Sequence, residues 1–201
     1  MKIYFHMNIE NFSNCYLIVN EDTKLAVIID PGKINEKIIN QIEDGGYELC
    51  AVLVTQNHPG NVHGIETLRR IYDIDVYAAD SEVAGNATVV IKGEGVLKVA
   101  GLDISYFSLP GHSADSIVYN IGTTLFTGDS LTAGAIGETT SSYAKKTLLN
   151  GIRTKILSYQ NDMIIMPGHG PLTSVGAERL YNIDLNPPKS ALAELTADEL
   201  H

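Results

Sequence analysis

One local event recurs four times along this chain, and it constrains the fold more than anything else. An apolar, strand-like run ends, and a polar or glycine-marked loop carrying His or Asp follows. Leu53-Val54-Thr55 leads to His58, and Phe107-Ser108-Leu109 leads to Pro110-Gly111-His112-Ser113. Thr124-Leu125-Phe126 leads to Thr127-Gly128-Asp129-Ser130, and Ile164-Ile165-Met166 leads to Pro167-Gly168-His169-Gly170. In α/β sheets, loops at one end of the strands converge on a site. Glycine beside each polar residue lets the backbone turn sharply and approach closely.

The elements between these loops alternate. Asn14 to Val19 and Leu25 to Ile29 flank the polar turn Asn20-Glu21-Asp22 and predict a hairpin. Asn35 opens a helix with Ile38, Ile39 and Ile42 on one face, and Gly45-Gly46 stops it. Leu49 to Val54 is a short continuous apolar run of the buried-strand type. A polar loop from Thr55 to Asn61 precedes a helix carrying Ile65, Leu68 and Ile71, and Asp75 to Ala78 is a further strand. The middle is β-rich: Val96–Val99, Leu102–Leu109, Ile117–Ile121 and Thr124–Phe126. A helix over Tyr143–Leu157, a strand over Met163–Met166 and a helix over Ser174–Tyr181, capped by Ser174, follow. This order predicts an α/β protein with sheets inside and helices outside. Residues 1–186 read as one domain. The tail from Pro187 to His201 is distinct: Ser190–Leu200 could form a short acidic helix, and the tail reads as a frayed terminus or an oligomer contact.

Composition narrows the function. The chain has 201 residues, enough for a real core, and 44% of them are hydrophobic. A net charge of -10 argues against a nucleic-acid partner, which needs a basic face. Every apolar run is interrupted before membrane-spanning length, and the start Met1-Lys2-Ile3-Tyr4-Phe5-His6 has no signal-peptide pattern. The expectation is a soluble cytoplasmic protein that binds a small molecule and no membrane, with homo-oligomerisation left open. Cys15 and Cys50 sit in strand-like runs and read as small buried hydrophobes.

Taken singly, each loop histidine reads as a capped or exposed loop residue. Four coincidences of one kind reverse that. His58, His112, Asp129 and His169 together are a donor set for a borderline metal, zinc or iron.

The chain resembles the metallo-β-lactamase superfamily, in particular its small glyoxalase-II-like hydrolases. The resemblance rests on Leu109-Pro110-Gly111-His112-Ser113 with Ser116-Ile117, on Phe126-Thr127-Gly128-Asp129-Ser130, and on Pro167-Gly168-His169-Gly170-Pro171, in that order. It extends from Asn14-Cys15-Tyr16-Leu17-Ile18 and Ile29-Asp30-Pro31-Gly32 to Glu178-Arg179. It implies a four-layer αββα sandwich with its site at one edge of two packed sheets.

The family's first motif, Thr-His-x-His-x-Asp-His followed by glycine, is altered here. The segment reads Thr55-Gln56-Asn57-His58-Pro59-Gly60-Asn61-Val62-His63-Gly64. Thr55, His58 and Gly64 align, whereas Gln56, Gly60 and Asn61 replace His, Asp and His. The resemblance implies one metal position served by His58, His112 and Asp129, with Gln56 able to offer only a neutral carbonyl oxygen. It leaves the second position with His169 and a shared Asp129. Two ligands are too few for a second ion, so one zinc ion or none is expected, with iron the lesser alternative. Gly60 also offers no base where the family has a carboxylate. His63 is a surface residue or a substitute ligand. After Asp129, Gly137-Glu138-Thr139-Thr140 replaces the Gly-Arg-x-Asp common in the glyoxalase-II-like relatives. Three readings follow: a hydrolase-like enzyme with a reduced site and weak or altered activity, an inactive relative that binds a ligand or partner, and a mononuclear non-haem iron oxygenase.

Overall fold

The structure, a computed structural model, describes residues 1–187. The helix expected over Ser190–Leu200 lies outside the described residues. The first sheet uses strands β1 (Lys2–Met7), β2 (Asn14–Val19) and β3 (Leu25–Ile29). Helix α1 (Glu36–Gly45), β4 (Glu48–Leu53), helices α2 (Pro59–Val62) and α3 (Ile65–Ile71), β5 (Asp75–Ala78) and β6 (Thr88–Val90) follow. The second half carries β7 (Glu94–Val99), β8 (Leu102–Ser108), β9 (Ile117–Ile121), β10 (Thr124–Gly128), β11 (Leu131–Thr132) and β12 (Ala135–Ile136). It ends with α4 (Ser142–Gly151), β13 (Ile164–Pro167), β14 (Thr173–Ser174) and α5 (Val175–Tyr181). A wider helical turn over Ile152–Ile156 extends α4.

The strands form two six-stranded sheets, ordered β1-β2-β3-β4-β5-β6 and β14-β13-β10-β9-β8-β7. Side chains alternate faces along a strand, so each strand serves two cores. In β2, Tyr16 and Ile18 join Ile29, Leu53, Ile104, Tyr119 and Phe126 between the sheets. Cys15, Leu17 and Val19 turn the other way, onto Ile38 and Ile42 of α1 and Ile65 and Leu68 of α3. On the outer face of the second sheet, Val118, Leu125 and Ile165 meet Leu148, Ile152 and Ile156. Burial on both faces explains why Cys15–Val19 of β2 and all of β3 read as continuous apolar runs. The result is the αββα sandwich that the resemblance implied.

Most elements stand where the sequence put them. Asn35 caps α1 by accepting from the Ile38 N–H, and Gly46 ends it at φ 61, which glycine adopts without strain. Ser174 caps α5 by accepting from the Ala177 N–H. Cys50 departs from expectation: it is only half-buried. Ala26 pairs with Leu49 and Val27 with Ala51, so Cys50 falls in a bulge and packs only against the margin of the core between the sheets. No helix among the described residues is long and apolar enough to cross a membrane.

Strand direction explains why the four loops meet. β8 is antiparallel to β9, β9 to β10, and β10 runs parallel to β13, so β8, β10 and β13 end on one side. The end of β4 joins them from the first sheet: the Ile117 N–H donates to Thr55 O at 2.8 Å, and the Tyr119 hydroxyl donates to Val54 O at 2.9 Å.

Candidate functional site

Asp129 follows directly from β10 and is 9% exposed. Each of its carboxylate oxygens receives one N–H. His169 Nδ1 contacts Oδ1 at 2.6 Å, and Gln56 Nε2 donates to Oδ2 at 2.7 Å. The same Gln56 nitrogen lies 3.4 Å from His112 Nε2. His112 Nδ1 lies 2.8 Å from the backbone carbonyl of Glu138. A carbonyl only accepts, so Nδ1 carries the proton and Nε2 keeps its lone pair. Glu138, Gln56, His112, Asp129 and His169 therefore form one hydrogen-bonded chain. The carboxylate bond holds His169 above the ordinary imidazole value, against the opposing effect of partial burial.

The loops are held closely. The Gly168 N–H donates to Gly128 O at 2.8 Å, and a Cβ on Gly168 would fall 2.4 Å from Asp129 Oδ1. The Asn14 amide donates to the carbonyls of Pro167 and Gly170, both at 2.9 Å, and the Tyr16 hydroxyl donates to Pro167 O at 2.6 Å. The first sheet thus fixes the loop that carries His169.

His58 opens α2 without a side-chain capping bond and is exposed. It lines a cavity of about 280 Å3 with Gln56, Asn57, His112, Ser113 and the segment Glu138–Thr140. His63 lies elsewhere: it lines a separate cavity with Lys33, Pro59 and Gly60. Of the expected donors, then, His112, Asp129 and His169 are joined in one network, while His58 stands outside it and shares the cavity lining with His112.

Two substituted positions have structural partners that the sequence did not reveal. Asn61 is buried, and its Nδ2 donates to Thr55 Oγ1 at 3.2 Å. Thr55 in turn gives its hydroxyl to Asp30 Oδ2 at 2.7 Å and its N–H to Asp30 Oδ1 at 2.8 Å. The only signal for this network was the Asp30-Pro31-Gly32 turn. Gly60 is buried too, with its carbonyl against Gly32.

Burial pushes the Asp30 carboxyl up to about 7 from an ordinary 3.8, although the Thr55 bonds favour its charged form. Between these values the folded chain keeps a proton that the unfolded chain has lost, so this group makes stability fall as pH rises across that window. Asp30→Asn is expected to flatten that part of the melting-temperature profile by several degrees. His169 titrates in both proteins, so their difference isolates Asp30. Identical slopes would refute the assignment.

The donor set was expected to suit a metal. Among the described residues, no three His, Cys, Asp or Glu side chains come together as an ion would need. Gln56 also departs from expectation: its N–H side, not its carbonyl oxygen, faces His112 and Asp129. An amide nitrogen has no lone pair to give a cation. In this arrangement the residues do not fit an ion between His112 and Asp129.

No family model matches the chain. The hydroxyacylglutathione hydrolase GloC of Haemophilus influenzae is 31% identical over 198 residues, spanning 86% of this chain and 92% of that protein. The protein named probable metallo-hydrolase YqgX of Bacillus subtilis is 29% identical over 197 residues, spanning 87% and 92%. Among solved structures, the BLEG-1 B3 metallo-β-lactamase superposes with a TM-score of 0.81 at 28% identity, covering 92% of this chain and 100% of the other.

Proposed function

Because the chain belongs to the metallo-β-lactamase superfamily and is similar to its glyoxalase-II-like hydrolases, we propose that it is a hydrolase-type protein with a reduced site. That site holds at most one metal ion, zinc before iron, and its hydrolytic activity is weak or altered. The observation that carries this reading lies at the second metal position. Gly60 brings no side chain there, and the Asn61 amide is turned onto Thr55 Oγ1. His169 and a share of Asp129 remain, too few to hold an ion.

The missing carboxylate at Gly60 also removes a positioned base. Such groups contribute about 10²–10⁴-fold to rate. The Haemophilus influenzae relative is named for hydroxyacylglutathione. Here the cavity wall is Glu138, Thr139 and Thr140, so a different small molecule is the better candidate. Metal analysis of protein purified without added metal, with a hydroxyacylglutathione hydrolysis assay, tests the reading. One equivalent or less is expected, with turnover about 10²–10⁴-fold below that of a relative with the complete motif. Two equivalents, or turnover equal to that relative, would overturn it.

A second reading, a ligand- or partner-binding protein without catalysis, is favoured by one observation: the Gln56 N–H groups engage the very atoms that would ligate an ion. Failure of every ester and thioester in a panel, with a metal-free site, would select it.

A further inference from the structure

We infer that the Gln56 amide is a built-in substitute for the metal ion, so that the site is closed and stable with no cation at all. The inference deepens the reading of a site with at most one ion, and rests on it, by setting that number at zero.

Three features point the same way. First, the bonding closes. Asp129 presents two oxygens and receives two N–H groups, one from His169 and one from Gln56. His112 donates through Nδ1 to Glu138 O, which turns the lone pair of Nε2 toward the second amide proton. Every proton in this chain has an acceptor, and each of the three facing acceptor atoms has a donor.

Second, the amide orientation follows from the chemistry. With the amide reversed, Oε1 would stand 2.7 Å from Asp129 Oδ2, oxygen against carboxylate, with no proton between them. The correct orientation leaves Gln56 Oε1 buried without a partner. A chain tolerates a buried unpaired carbonyl only where the alternative costs more, and here the alternative sets an amide oxygen against Asp129 Oδ2 and removes its donor.

Third, the environment makes the substitution effective. Gln56 is 3% exposed and Asp129 is 9% exposed. Hydrogen bonds between such groups are electrostatically stronger than in water, and an unpaired carboxylate there is correspondingly costly. One amide N–H supplies the positive end that Asp129 Oδ2 requires, and the other faces His112 Nε2.

The test uses the full chain at pH 8, where carboxyls are ionised, and compares wild type with Gln56→Glu. Thermal melts are run in chelator and in zinc, with metal content measured alongside. Wild type is expected to hold no stoichiometric metal, and zinc should move its melting temperature by less than about 1 °C. Gln56→Glu sets a second carboxylate against Asp129 Oδ2. In chelator it should melt about 5 °C or more below wild type, because like charges in such a site disfavour one another. Zinc should return most of that loss, with one equivalent bound, because an ion now neutralises two carboxylates.

One equivalent of metal on wild type, or a zinc-induced rise comparable to that of the variant, overturns the inference but leaves the one-ion reading standing. Two equivalents overturn both. A variant that melts like wild type in chelator also overturns the inference. Should Gln56→Glu not fold in chelator, the wild-type zinc titration and metal content decide alone.

Discussion

Replacing Gln56 by His, Gly60 by Asp and Asn61 by His together is expected to give a chain that binds two metal ions. His at position 56 would offer a lone pair where the amide now presents N–H groups to His112 and Asp129. Asp at 60 and His at 61 would supply the second position, where His169 already points at Asp129 Oδ1. Each change is sterically open to a different degree. A Cβ on Gly60 meets Asn11 Nδ2 at 2.9 Å, the end of a side chain that can move aside. Asn61 is 2% exposed, so the larger imidazole must turn outward and give up the bond to Thr55 Oγ1. That lost bond costs about 1 kcal/mol before metal binds. Metal binding should more than offset it, with each ion at a hundredfold excess over its dissociation constant adding about 2.7 kcal/mol. Hydrolysis should rise by about 10²–10⁴-fold as a positioned base returns. Metal per chain and thioester turnover are the measurements. A folded triple variant that binds no metal would show that the loops are not in ligand geometry.

Gly32→Ala is expected to be the most damaging single methyl in the molecule. The added Cβ would fall 1.7 Å from the Gly60 carbonyl oxygen and 2.6 Å from its carbon, both backbone atoms. No rotamer relieves a clash between a Cβ and backbone. The turn after β3 and the start of α2 would have to separate, and Thr55, Asp30 and Asn61 would lose register with them. Overpacking of this kind costs about 3 kcal/mol or more, roughly 10 °C for a domain of this size. Gly46→Ala is the matched control: its φ is 61, but nothing lies within 4 Å of the added atom. That variant should lose only about 1 kcal/mol, a backbone cost without a steric one. Equal melting temperatures for the two variants would sink the argument.

The layers were legible because burial on both sheet faces leaves apolar runs that the order of residues exposes. The same physics hid the short pieces. β6 has three residues, and β11, β12 and β14 have two each, too few for a period to register. β1 was missed for another reason: at the sheet edge it leaves apolar Phe5 and Met7 about half exposed and half-buries His6, so burial does not follow polarity along it. The four-residue helix α2 overlaps the segment Thr55–Asn61 read as a loop, because Pro59 and Gly60 are turn residues and Pro59 also suits the first position of a helix.

At the site, loop convergence was legible and bonding was not. His112, Asp129 and His169 stand together as their loops implied. Which end of the Gln56 amide faces them depends on a proton inventory across residues 56, 112, 129, 138 and 169, and no local pattern encodes that. Asn61 was legible as a substituted ligand position, but its amide's bond to Thr55 was not.

The clasp between Asn14, Tyr16 and the carbonyls around His169 has a bearing on the order of events during synthesis. Its bonds join residues 151 to 156 positions apart. The second strand leaves the ribosome 151 to 156 residues ahead of its polar partners and must wait for them to arrive. Until then the Asn14 amide and the Tyr16 hydroxyl have only solvent to bond, and the first sheet has no lid on its inner apolar face. Contacts of such long range form late and slow the final step. The nascent first half is therefore the species most exposed to misassembly, and the emergence of Pro167 to Gly170 is the moment at which that exposure ends.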